Sequence, residues 1–104
     1  MNRIAVITGC WRRSAVVDAC LRSWQELGAV EIIAAYTPGD NAVKDVLRHL
    51  DCYAVEAPNR LAAKFNAATL AARDIDADYF LHMGSDDLVC AKLWDVYRTY
   101  PGKH

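Results

Sequence analysis

Hydrophobic and polar positions divide the chain into two alternating kinds of segment. Short continuous apolar runs are typical of strands buried on both faces of a sheet, whereas apolar residues at every third or fourth position are typical of helices. Helical spacing over residues 14–27, followed by Gly28, predicts a first helix that ends at the glycine. The apolar runs predict four strands, over residues 3–10, 31–37, 52–57 and 79–83.

Three further helices are predicted from turn and capping residues. The segment T-P-G-D at 37–40 predicts a helix start, with Thr37 as the N-cap and Pro38 in the first turn. Pro58 and Asn59 predict the start of the next helix, and residues 90–100 form the last one. The predicted inward faces are Val17, Cys20, Leu21, Trp24 and Leu27, then Val43, Val46, Leu47 and Leu50, then Leu61, Phe65, Ala68 and Ala72.

The alternation of strands and helices predicts an α/β fold in one domain spanning 1–104. We expect three α/β/α layers around a mostly parallel four-stranded, Rossmann-like sheet, because β-α-β crossovers are right-handed. Ligands of such sheets bind beyond the carboxyl ends of the strands, where the strand order reverses. This rule places residues 8–11, 36–37 and 84–87 along one edge, which we call the rim.

Composition narrows the class of protein. With 54% hydrophobic residues and a net charge of -1, the 104-residue chain reads as a globular protein without an electrostatic basis for nucleic-acid binding. No apolar run has the length of a membrane span, and an apolar strand directly after Met1-Asn2-Arg3 leads us to expect a cytoplasmic protein. Four cysteines without a C-x-x-C pair are predicted to be reduced, mostly buried thiols.

Two adjacent carboxylates, Asp86 and Asp87, follow the fourth strand in the segment G-S-D-D. One interpretation is structural: Ser85 or Asp86 caps the last helix and the second acid complements its dipole. The other is a divalent metal site, because Mg²⁺ commonly takes one or two carboxylates together with phosphate oxygens. The metal interpretation requires a phosphorylated ligand.

Basic and aromatic residues near the rim are candidates for binding such a ligand. Arg60 lies at the predicted start of the third helix, where backbone N–H groups and a guanidinium can face a phosphate. Lys64, one turn later, is predicted to form a solvated basic edge, and Arg12 and Arg13 are either phosphate ligands or simply exposed. Trp11 either covers the sheet edge or stacks on a base.

The sequence contains no recognisable motif for nucleophilic catalysis. There is no G-x-S-x-G, no Walker loop and no G-x-G-x-x-G. Cys10 and Thr8 lie at the end of the first strand, but no histidine is placed in the sequence to activate either one. His82 lies within the fourth strand and is predicted to be a core or half-buried residue.

Three segments resemble the nucleotide-binding half of inverting GT-A glycosyltransferases of the family 2 type. They are RIAVITGCWRR, VEIIAAYTPGDN and, as the most similar part, NRLAAKFNAATLAARDIDADYFLHMGSDDL. The resemblance implies a truncated GT-A fold that binds a UDP- or GDP-linked sugar, with Mn²⁺ or Mg²⁺ held by Asp86 and Asp87. The nucleotide-binding residues it implies, together with the candidates above, are Thr8, Gly9, Trp11, Thr37, Arg60 and Asp86.

The chain departs from that family at three places. Tyr36 and Thr37 stand where the family carries aspartates, and Gly84 stands where many members have the first acid of a D-x-D-D motif. The resemblance ends at His104, before the acceptor-binding half, so it implies no catalytic base. The alternative function is a non-catalytic module that acts by protein interaction or self-association. An uncovered sheet edge and the last helix (Leu93, Trp94 and Tyr97) would form its interface.

Overall fold

Strands and helices alternate along the whole of the chain that the structure describes. The structure is a computed structural model and describes residues 2–85 and 91–99. Its elements in chain order are β1 (Ile4–Gly9), α1 (Ser14–Leu27), β2 (Glu31–Tyr36), α2 (Asn41–His49), β3 (Tyr53–Glu56), α3 (Leu61–Ala71) with a 3₁₀ turn (Ala72–Asp74), β4 (Tyr79–His82) and α4 (Ala91–Thr99).

All four strands lie parallel in one sheet, in the order β3-β2-β1-β4. The chain moves outward from β1 through β2 to β3 and then returns across the sheet to β4. Strand order therefore reverses between β1 and β4, which is where parallel sheets of this kind bind ligands. The observed architecture confirms the predicted α/β class and is compatible with a three-layer Rossmann-like fold.

One face of the sheet carries a core of large side chains. Strand residues such as Ile4, Val6 and Ile32 pack there against α1 and α2, and Trp94 brings α4 to the same face. Trp24 is fully buried at the centre of α1's inward stripe. The predicted inward residues of α1 and α2 all belong to this core or pack against it.

The opposite face is covered by α3 and carries mainly small residues. Its buried cluster is dominated by alanines from the strands and from the helix: Ala5, Ile7, Ile33, Ala35, Ala57, Ala68 and Ala72. Small side chains allow a helix to approach a sheet closely. Gly9 continues this trend, since a Cβ atom at that position would lie 2.9 Å from the Cβ of Lys64.

The predicted helix start at Thr37 is wrong. The amide of Asp40 donates to the carbonyl of Thr37, and Gly39 has a φ of 97°. A turn with proline second and a left-handed glycine third has the type II form, so residues 37–40 close a turn. The helix α2 begins only after Asp40.

Four burial predictions are also wrong. Leu61 is 65% exposed, and Lys64, predicted to be solvated, takes the inward position one turn later. His82 is exposed, although Phe65 and Thr69 of α3 contact its ring. Trp94 is only 1% exposed and is therefore not available to an interface, although Leu93 is exposed.

The described helices do not have the properties of membrane spans. None of those formed by residues 2–85 and 91–99 combines the length and the apolar character that crossing a bilayer requires.

Candidate functional site

A cavity of about 400 Å³ opens at the rim, where the strand order reverses. Three segments form it: the connection from β1 to α1, the start of α3, and the residues directly after β4. Its charged lining residues among those described are Arg12, Arg13 and Lys64, and no described lining residue is acidic. The remaining lining residues are Gly9, Trp11, Val16, Val17, Asn59, Leu61, Gly84 and Ser85. We call this hollow the rim cavity.

Lys64 links α3 to the loop after β1. Its aliphatic stem packs over Gly9, where a side chain would collide with it. Its ammonium donates to the carbonyl of Cys10 at 2.8 Å and to Oδ1 of Asn59 at 3.1 Å. The residue is only 2% exposed. Buried lysines are rare unless they are paired, and here carbonyl and amide oxygens provide the partners.

Burial changes the protonation chemistry of two groups beside the rim cavity. It lowers the pKa of Lys64 from its ordinary value, although Cys10 and Asp40 act in the opposite direction. Burial also raises the pKa of the Cys10 thiol to about 12, against the opposing effects of Lys64 and of a hydrogen bond with Ser85. A thiol with so high a pKa stays protonated at neutral pH and is a poor nucleophile.

Trp11 lies between two cations. The Arg12 guanidinium carbon lies 4.9 Å from the centroid of the indole ring and the Lys64 ammonium lies 5.0 Å from it. Both distances are within the range of cation–π attraction. Trp11 is nevertheless 39% exposed. Together with Arg12 it also lines a second hollow of about 320 Å³, which Pro38, Gly39 and Asp40 complete.

The loop that carries these residues has an unusual backbone. Arg12 and Arg13 have φ values of 53° and 50°, in the left-handed region that residues with a side chain seldom adopt. Hydrogen bonds hold this conformation: Asp40 Oδ2 accepts from the Arg12 amide at 2.7 Å, and the Arg13 carbonyl accepts from the amides of Val16 and Val17. Consecutive left-handed residues carry strain, and such strain is concentrated at functional sites.

The structure brings together only some of the predicted site residues. Gly9 and Trp11 line the rim cavity, as do Arg12 and Arg13. Thr8 is fully buried, and its hydroxyl, like that of Thr37, has no hydrogen-bond partner within the described residues. Neither threonine lines a hollow described above. Arg60 is exposed just before α3 and is also absent from the lining.

The predicted metal ligands, Asp86 and Asp87, lie outside the described residues. Residues 2–85 and 91–99 contain no group of three or more histidine, cysteine or acidic side chains that could hold an ion. Within the described lining of the rim cavity the charged groups are all cations, which repel a metal ion. The described residues alone therefore do not fit a metal, and any ion would depend on the two aspartates and on phosphate oxygens.

Three members of the site have no distinctive signal in the sequence. Lys64 occupies a position that a hydrophobic pattern assigns to solvent, and only its place one turn after a helix start could have suggested a role. Asn59 reads as an N-cap, but no side chain caps α3 and its oxygen accepts from Lys64 instead. Ser85 adjoins the acidic pair, and only its position after β4 links it to the rim.

Comparisons with known proteins do not identify the chain. It matches no protein-family model, no curated protein and no solved structure. The glycosyltransferase resemblance therefore depends on the motifs quoted above.

Proposed function

We propose that the rim cavity binds a nucleoside diphosphate carrying a sugar, as in the nucleotide-binding half of an inverting glycosyltransferase. The observation that supports this most directly is the set of three basic side chains around the cavity, beside an exposed tryptophan. A ligand for this site must be anionic, must have a flat group that stacks, and must fit a space of a few hundred cubic ångströms.

In this proposal, the diphosphate lies against Arg12, Arg13 and Lys64. Guanidinium groups bind phosphate through pairs of parallel hydrogen bonds, whereas an ammonium acts as a compact charge. An ammonium has three donors, and two of those of Lys64 are engaged by Cys10 and Asn59, so a third is available to a phosphate oxygen. The start of α1 next to Arg13 adds a favourable dipole.

The base, in turn, stacks on Trp11. The hollow beside this ring is also lined by Pro38 and Gly39, and the carboxylate of Asp40 can serve as a hydrogen-bond acceptor for base or ribose. Because Arg12 now lies over the indole ring, a bound base would replace this contact and release the guanidinium towards the diphosphate. Stacking of a base on an aromatic side chain contributes about 1–3 kcal/mol.

Metal binding and sugar transfer require groups outside the described residues. Asp86 and Asp87 would hold Mn²⁺ or Mg²⁺ together with phosphate oxygens, and the ion would offset charge on the departing diphosphate. An inverting transfer also needs a base near the acceptor hydroxyl. No described residue that lines the rim cavity is a histidine or a carboxylate, so we assign the described residues to binding.

Calorimetric titration tests the proposal directly. UDP, GDP and their sugars are titrated into the wild type and into R13A and K64M, each with Mn²⁺ and with a chelator. A hydrogen bond to a charged group contributes about 1.5–3 kcal/mol, so each variant should bind at least about tenfold more weakly. Loss of the Mn²⁺ effect in D87A would assign the metal to the acidic pair.

The matched control is R73A. Arg73 is an exposed arginine in the turn after α3, at the end of the sheet opposite the rim, and its removal should leave nucleotide affinity unchanged. Equal weakening in R73A and R13A would mean that net charge alone governs the binding. If the wild type binds none of these nucleotides under either condition, the proposal is wrong.

The alternative, a non-catalytic interaction module, has one observation in its favour. The edge strand β4 presents an exposed aromatic side chain, that of Phe80. A module of this kind would bind a protein at β4 regardless of nucleotide, and the two functions are compatible because the edge and the rim cavity are different surfaces.

A further inference from the structure

The outer edge of β4 presents unpaired backbone groups. β4 ends the sheet, and the amides of Asp78, Tyr79 and Met83 point inward, where they donate to carbonyls of β1 and of the residue before it. Because backbone direction alternates along a strand, the N–H and C=O groups of Phe80 and His82 point outward. No strand in the described part of the chain pairs with them. Exposed edges of this kind are templates for a further strand.

One aromatic and one polar side chain of β4 lie along this edge, on the sheet face towards α3. Phe80 pairs in register with Ala5, and His82 pairs with Ile7, so both side chains lie on the sheet face against which α3 packs. Phe80 is 37% exposed. His82 is held in place, since its Nε2 lies 3.2 Å from the Thr69 hydroxyl and its ring contacts Phe65.

We propose that two copies of this chain pair through β4, in antiparallel orientation, with the two-fold axis at Phe80. In this register Phe80 lies opposite the partner's Phe80, and Asp78 lies opposite the partner's His82. Each dimer then contains one aromatic pair flanked by two carboxylate–imidazole pairs. The result is a continuous eight-stranded sheet with no exposed β4 edge.

A second copy of the chain is the partner, in this register, because the side chains that face each other are complementary. Only Oδ2 of Asp78 is engaged within the described residues, by the Arg3 amide, so the second oxygen is available to an imidazole. Sliding the partner by two residues would set Phe80 against Asp78 or His82, which places a charged or polar group opposite an aromatic ring. Polar pairs and aromatic pairs both favour directly facing positions. A second copy provides both kinds of pair at once.

Disulfide trapping tests this register. Directly opposed residues that exchange hydrogen bonds have Cα atoms about 5.5 Å apart, which suits a disulfide. F80C should therefore form a covalent dimer under mild oxidation. In H82C the two cysteines would be four residues out of register, about 13 Å apart along the strand, and should not cross-link. Cross-linking of the wild-type protein under the same conditions measures the background from the native cysteines.

Sedimentation equilibrium supplies an independent measurement without new cysteines. F80E should shift the wild-type dimer to monomer, with at least a tenfold rise in the dissociation constant. Y53E is the matched control, because Tyr53 is 42% exposed on β3 at the other edge of the sheet. Circular dichroism establishes that both variants fold.

Several results would overturn the proposal. They are a wild type that is monomeric at high concentration, cross-linking in H82C but not in F80C, or a dimer that Y53E disrupts and F80E does not. Isolation of the wild type only as a complex with a different protein at β4 would also contradict it. Nucleotide binding at the rim cavity is unaffected by any of these outcomes, since the dimer does not depend on it.

Discussion

The two faces of the sheet are packed with side chains of different size. The face under α1, α2 and α4 is filled with large side chains, including the buried Trp24 and Trp94. The face under α3 is filled mainly with alanines, and its buried helix position next to the rim is a lysine. Apolar area is concentrated on the first face, so it provides most of the stability. Close approach on the second face allows a cation to reach the rim.

The strongest test of this contrast removes a large side chain from the first face. W24A should lower the free energy of unfolding by about 3–5 kcal/mol, because it removes buried area and leaves a cavity. Urea denaturation measures the change. V30A, at an exposed position, should change stability by less than about 0.5 kcal/mol. Similar losses in the two variants would show that the first face is not the dominant core.

On the second face, a substitution that adds volume should lower the stability of the fold. G9A places a methyl group 2.9 Å from the Cβ of Lys64, so α3 must move away from β1, at a cost of about 1–3 kcal/mol. It should also weaken nucleotide binding, because the ammonium shifts with its stem. G39A is the control for glycine loss: no atom lies near that position, but its φ of 97° adds backbone strain. A stable G9A with unchanged binding would contradict close packing at the rim.

The buried thiol of Cys10, in the core of the first face, makes stability depend on pH. The pKa of Cys10 is about 12 in the folded chain and 9.0 ordinarily, so the unfolded chain loses this proton first. The contribution is therefore complete below pH 9 and is lost as pH rises towards 12, by about 1.4 kcal/mol per pH unit. Urea denaturation between pH 8 and 10.5 should show a steeper decline for wild type than for C10A. Parallel profiles would refute the assignment.

The smallest effect concerns the residues with left-handed backbone conformations. Glycine relieves a left-handed residue, so D51G, at φ 58° after α2, should raise stability by about 0.5–1 kcal/mol and leave binding unchanged. R13G relieves similar strain but should weaken nucleotide binding at least about tenfold. Thermal melts and calorimetry distinguish the two variants. If R13G binds as wild type does, the strain at Arg13 has no functional role.

The contrast also explains what the sequence could predict. Helix α1 was predicted over its observed range because its large inward residues recur at helical spacing and Gly28 ends it. The rim at the ends of the strands followed from the order of elements. Lys64 could not be predicted, because a hydrophobic pattern treats lysine as solvated and says nothing of the gap that Gly9 leaves. Leu61 was misassigned for the same reason.

The predictions for residues 37–40 and for the exposure of the last helix were wrong for different physical reasons. T-P-G-D is compatible with both a helix start and a type II turn, and the left-handed Gly39 decides between them. Trp94 was expected on an open surface because the pattern identifies an apolar stripe without identifying what covers it. In the fold, that stripe meets the core formed by α1 and the sheet.

The unequal burial of the three tryptophans has a practical consequence. Trp24 and Trp94 are enclosed, whereas Trp11 remains open to solvent at the rim. A collisional quencher such as iodide should therefore reach one emitter of three, and the two neighbouring cations should attract that anion. An occupant of the rim would shield this emitter, so the intrinsic fluorescence of the unmodified chain can report on occupancy without a label.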